Sequence, residues 1–172
     1  MGREPLDRLV GRLAAICLDR GVVVATAESC TGGLIAKLIT DLSGSSEYFR
    51  GGVVGYANET KVRLLGVPTE QLEAHGAVSA QVARSMAVGA RAAIDVDCAV
   101  AVTGVSGPGG GGPTKPVGLT YVAVADAQGS DVRRFVWSGD RSQNREETAR
   151  AALEMLIERV SAATGPATPG ER

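Results

Sequence analysis

The sequence holds one histidine, six aromatic residues (two Phe, one Trp and three Tyr), three cysteines and three lysines in 172 residues. Each scarcity closes off a class of function. One histidine, His75, cannot build a His-rich metal site. It sits in LEAHGAV, where a helix is expected to end at Gly76, so it reads as a polar residue at a helix terminus rather than a catalytic base. Aromatics at 3% leave little for stacking single-stranded nucleic acid. Eighteen basic against nineteen acidic residues, a formal charge of −1, argue against a phosphate-backbone binder. Cys17, Cys30 and Cys98 are scattered, odd in number and form no CxxC, which points to a reducing cytoplasm. No apolar run approaches the ~20 residues of a membrane-spanning helix. The N-terminus interleaves charge with apolar residues, unlike a signal peptide.

Several catalytic motifs are missing as well. There is no GxSxG, no Ser-x-x-Lys, no HExxH and no P-loop. The run GPGGGG at 107–112 matches GxGxxG only because any glycine run does, and PTKP after it cannot open the required helix.

What is present is small, apolar and periodic. Hydrophobic residues make up 44%, with many Ala, Val and Gly, enough for one domain with its own core. Helical spacing predicts helices at about 5–20, 31–42, 58–65, from Thr69 as N-cap, from Ser79 as N-cap, and at 142–161. The helix after Ser79 is expected to bury Val82, Met86, Gly89 and Ala93. Its small residues could also pack against a second subunit. Strands are expected at 22–28, 51–56, 98–102, 118–125 and 132–137, the last two joined by a hairpin turn at 127–130. This order predicts a three-layer α/β/α sandwich on a mixed, mostly parallel sheet of about five strands. Residues 1–162 would form the domain, and the Gly- and Pro-rich 163–172 a flexible tail.

Three segments stand out: AESCTGG (27–33), GGVVGYANETK (51–61) and TGVSGPGGGGPTKPVG (103–118). Each lies at or just after the C-terminal end of an expected strand, where ligands gather in open α/β sheets. Ser29, leaving a strand for a helix, would lie near free backbone amides able to hold an oxyanion. The competing reading is that Ser29 or Thr31 caps that helix. Gly32 and Gly33 speak for close approach of a ligand, because two glycines in a first turn lower helix propensity by roughly 1 kcal/mol each. Cys30 competes with Ser29 as nucleophile. Without a histidine the base must be a lysine, carboxylate or tyrosine. Lys37 is expected to face solvent, Lys61 follows a strand end, and Lys115 in the glycine-rich loop better suits a substrate anion. Arg141 in SGDR could grip a phosphate or pair with Asp140.

The same segments carry a resemblance. The stretch from TAESCTGG to YANETKVRLLGV, then HGAVS, TGVSGPGGG, KPVG and SGDR, resembles the C-terminal domain of the competence/damage-inducible protein CinA over about residues 5–160. Two-domain relatives carry an N-terminal domain for which this length leaves no room. Stand-alone members are nicotinamide mononucleotide deamidases. The resemblance implies an amidohydrolase with a serine–lysine pair, which falls on Ser29 and Lys61, with Tyr56 and Asn58 completing the Tyr-x-Asn-x-x-Lys motif and Tyr56 able to orient or relay. It places substrate contacts at Cys30, Thr31, Gly32, Asn58, Thr103, Gly104, Ser106, Gly107 and Arg141. It favours Ser29 over Cys30. It implies no metal and no cofactor, a small-molecule pyridine nucleotide as partner, no nucleic acid or membrane partner, and a homo-oligomer. Thr114 stands where relatives often show an acidic residue before Lys-Pro. The alternative function is a non-catalytic pyridine-nucleotide-binding module tied to competence or DNA damage.

Overall fold

The computed structural model describes residues 4–162; the expected tail at 163–172 lies outside them. The elements run α1 (Leu6–Arg20), β1 (Val24–Glu28), α2 (Leu34–Thr40), a 3-10 turn (Ser45–Glu47), β2 (Phe49–Val54), α3 (Asn58–Leu65), α4 (Thr69–His75), α5 (Ala80–Ile94), β3 (Cys98–Gly104), β4 (Leu119–Asp126), β5 (Gly129–Val136) and α6 (Arg141–Ala162). The sheet order is β2-β1-β3-β4-β5. β1 pairs in parallel with β2 and β3, and β4 is antiparallel to both β3 and β5, so four of five strands point one way. The α/β fold with a mixed five-stranded sheet is as the sequence predicts.

The alternation within the strands explains the layers. Successive side chains on a strand face opposite sides. In VATAE, CAVAVTG and LTYVAVAD the two sides therefore receive different sizes. Val24, Val100, Val102, Val122 and Val124 pack into one core with α1, α2 and α6. Ala25, Ala27, Ala99, Ala101, Ala123 and Ala125 pack into the other, under α5. The alanine face lets α5 come close. Its own contact residues are Val82, Ala83, Met86, Ala87 and Ala90. These five α5 residues are therefore spent on the sheet.

Ser79 caps α5 as expected, its hydroxyl accepting from the Val82 amide at 3.3 Å. Three local expectations fail. Thr69 is the first residue of α4 rather than its cap, and Pro68 holds the cap position with no side-chain bond. Ala93 is exposed, because the α5 face that meets the sheet ends at Ala90. Gly89 is half-buried against α3 rather than the sheet, where a β-carbon would lie 1.7 Å from the Leu65 carbonyl oxygen. Among the described residues no helix is long and apolar enough to cross a membrane.

Candidate active site

β1, β2, β3 and β5 point the same way, so the segments that follow them meet at one edge of the sheet. There they enclose a cavity of about 320 Å³. The β1 end contributes Ser29 and Cys30, and the β2 end Tyr56, Asn58 and Lys61. The β3 end adds the stretch from Thr103 to Gly110, and α6 contributes Arg141. Ten of the twelve residues expected at the site line this cavity: Ser29, Cys30, Tyr56, Asn58, Lys61, Thr103, Gly104, Ser106, Gly107 and Arg141. Thr31 and Gly32 do not. Thr31 is buried with its carbonyl accepting from Arg145 at 2.6 Å, and Gly32 is exposed on the outer side of the turn. The lining includes two cationic groups, Lys61 and Arg141, and no carboxylate.

The turn that carries Ser29 is built differently from the sequence expectation. α2 starts only at Leu34, and neither Ser29 nor Thr31 caps it. Glu28, 1% exposed, takes that role from the end of β1. Its carboxylate accepts from the amides of Gly33 and Ile35 at 3.0 Å and of Ala36 at 2.8 Å. A carboxylate at a helix N-terminus gains from both the amide bonds and the dipole. The α2 amides expected to face an oxyanion are therefore already occupied. The Ser29 amide donates to the Val102 carbonyl at 3.1 Å, which ties the turn to β3.

Lys61 sits in the first half of α3 and is 1% exposed. Its Nζ donates to the Tyr56 carbonyl at 3.2 Å. Burial holds its ammonium below the usual lysine range, against the opposing pull of Cys30 and Glu59. Burial also pushes the Cys30 thiol up to about 11, although the Ser106 hydroxyl and nearby amides favour its thiolate. Such a thiol stays protonated at neutral pH and is a poor nucleophile.

Arg141 bridges two of the loops. It donates to the Gly107 carbonyl at 2.8 Å and to the Tyr56 hydroxyl at 3.1 Å. It is not held by Asp140, which forms a reciprocal cap with Gln143: the Gln143 amide donates to Asp140 and the Asp140 amide to Gln143, both at 2.9 Å. Thr103 donates its hydroxyl to the Ala77 carbonyl at 2.8 Å, so its buried side chain fixes the α4–α5 connection.

The other two lysines lie outside the cavity. Lys37 is exposed and pairs with Asp41 at 2.5 Å. Lys115 donates to the His75 carbonyl at 2.6 Å, closing off the end of α4. The glycine-rich loop is pinned at this point and also through Val105, whose amide donates to Leu119 at 2.8 Å.

Sequence reasoning missed Glu28, Asn144 and Arg145. Asn144, 1% exposed, donates to the Ser106 carbonyl at 3.0 Å and accepts from Gly139 at 3.0 Å, fastening the cavity wall to α6. The signal for Glu28 was a carboxylate directly before the turn. Asn144 and Arg145 offered none, because they look like ordinary polar positions on a helix.

Known proteins are similar to this chain in sequence and in fold. The sequence model described as the CinA C-terminal domain matches residues 6–160. A CinA-like protein of Geobacter sulfurreducens is 52% identical over 159 residues, covering 92% of this chain and 38% of that protein. A putative competence-damage inducible protein of Symbiobacterium thermophilum is 52% identical over 162 residues, covering 89% and 37%. The chain thus spans under two fifths of the length of these curated relatives. Among solved structures, the competence/damage inducible protein CihA of Agrobacterium tumefaciens superposes with a TM-score of 0.88 at 43% identity, covering 92% of this chain and 98% of that one. The competence damage-inducible protein A of Klebsiella pneumoniae superposes with a TM-score of 0.90 at 30% identity, covering 94% and 100%. Sequence and fold agree along almost the whole length: the chain belongs to the CinA C-terminal domain family.

Proposed function

We propose that the chain hydrolyses the carboxamide of nicotinamide mononucleotide to nicotinate mononucleotide and ammonia. The observation that carries this reading is the burial of Lys61 in the cavity it shares with Ser29, a cavity lined also by the Arg141 guanidinium and by no carboxylate. A desolvated amine loses its proton more readily than one in water, which suits it to act as a base. Ser29 attacks the carboxamide carbon while Lys61 takes the hydroxyl proton and passes it to the departing ammonia. A nicotinoyl ester remains on Ser29, and water hydrolyses it. With the α2 amides held by Glu28, this reading assigns the oxyanion to the backbone amides of Ser106 and Gly107. Tyr56 orients both side chains, its carbonyl holding Lys61 and its hydroxyl Arg141. Arg141 then receives the 5′-phosphate.

The test is ammonia release from nicotinamide mononucleotide by wild type, Ser29→Ala and Lys61→Ala. Each substitution should lower turnover on the order of 10³-fold. Near-wild-type release by Lys61→Ala would remove the base from the mechanism. Calorimetric binding of the nucleotide by a wild type that releases no ammonia would replace the amidase with a binding module.

A further inference from the structure

Lys61 is an unusual amine even apart from the serine beside it. It is almost wholly buried, yet it lines a cavity open to small molecules. Its three-donor head makes one hydrogen bond, to a neutral carbonyl at 3.2 Å. Arg141 supplies a positive group on the same lining. Its partners there, the Gly107 carbonyl and the Tyr56 hydroxyl, are both uncharged. The chain's other lysines are engaged outside the cavity, with Asp41 and with the His75 carbonyl.

We propose that Lys61 is a covalent capture site for small aldehydes that carry an anionic group, forming an imine inside the cavity. The Nζ lone pair adds to the carbonyl carbon, and a proton moves from nitrogen to oxygen to give a carbinolamine. The carbon–oxygen bond then breaks, water leaves and the carbon–nitrogen double bond closes. Amine and aldehyde become imine and water, with no oxidant or reductant. Three features of the cavity favour this chemistry. Burial favours the uncharged amine, which alone is nucleophilic. The guanidinium of Arg141 complements the anionic end of the aldehyde. The volume of about 320 Å³ fits a single small ring with its substituent. The proposal shares with the amidase reading the uncharged amine at Lys61 but does not require the serine.

The probe is pyridoxal 5′-phosphate, an aromatic aldehyde with a phosphate. The full chain is incubated with it at neutral pH and reduced with borohydride, and the label at each lysine is measured by peptide mass. Label at Lys61 should exceed that at Lys37 and at Lys115 several-fold, because burial raises the share of free amine. Arg141→Ala should raise the probe concentration needed for half-labelling several-fold. Pyridoxal without the phosphate should need a similarly higher concentration. Equal labelling of the three lysines, or an unlabelled Lys61, overturns the proposal. The measurement on wild type needs no variant to fold. Ser29→Ala should lose ammonia release and keep the label. Label on a wild type that releases no ammonia would sink the amidase reading alone, and ammonia release with an unlabelled Lys61 would sink this one alone.

Discussion

Replacing Lys61 by Met should make the protein more stable at neutral pH while abolishing ammonia release. Met nearly matches the lysine stem in length and carries no charge. In the folded chain burial lowers the Lys61 pKa below its ordinary 10.5. Between the folded value and 10.5 the unfolded chain holds a proton there that the folded chain does not. Stability of the wild type therefore rises with pH across that window, by about 1.4 kcal/mol per pH unit, and is lowest below it. Met removes this cost and loses one hydrogen bond to a carbonyl, worth about 1 kcal/mol. The desolvation cost of the charged amine outweighs that single bond, so the variant should be the more stable of the two at pH 7. The gain should shrink as the pH rises towards 10.5.

The assay is chemical denaturation of both proteins between pH 7 and 9. The thiols do not interfere there. Burial pushes Cys17 and Cys98 up to about 12 and Cys30 to about 11, so they reduce stability only above their ordinary 9.0. A Lys61→Met protein less stable than wild type at pH 7, or a difference that does not change with pH, would show that desolvation does not govern this amine.

Glu28→Ala should leave three amides at the start of α2 without their acceptor and lower stability by about 2–4 kcal/mol, read by thermal unfolding. Glu28→Gln should lose less, because its amide oxygen still accepts. Gly89→Ala would set a β-carbon 1.7 Å from the Leu65 carbonyl oxygen, a backbone atom that no rotamer change can move aside. It should lower stability by about 1–3 kcal/mol despite the better helix propensity of Ala, and a rise in melting temperature would refute the packing of α3 on α5. Arg141→Ala should raise KM for nicotinamide mononucleotide at least tenfold with a smaller loss in kcat, measured by steady-state ammonia release.

The helices and strands were legible because the period of apolar residues changes along the chain, and the Val/Ala alternation in β1, β3 and β4 already encodes two faces of different depth. The segments that gather at the cavity were legible because each follows a strand, and a parallel arrangement brings such ends to one edge. The cap of α2 was not. Ser29 and Thr31 look like capping residues by position, but Glu28 reaches back from the strand end and takes all three amides, which depends on the path of the turn in space. The sequence separated Lys37, Lys61 and Lys115 by position but not by burial. Only tertiary packing shows which is dry, because the protonation of an amine depends on what excludes water around it. α3 folds Lys61 under Tyr56, while Lys115 is drawn away to the end of α4. The linear chain determined which residue types could meet, and the packed structure decided which amine would be dry.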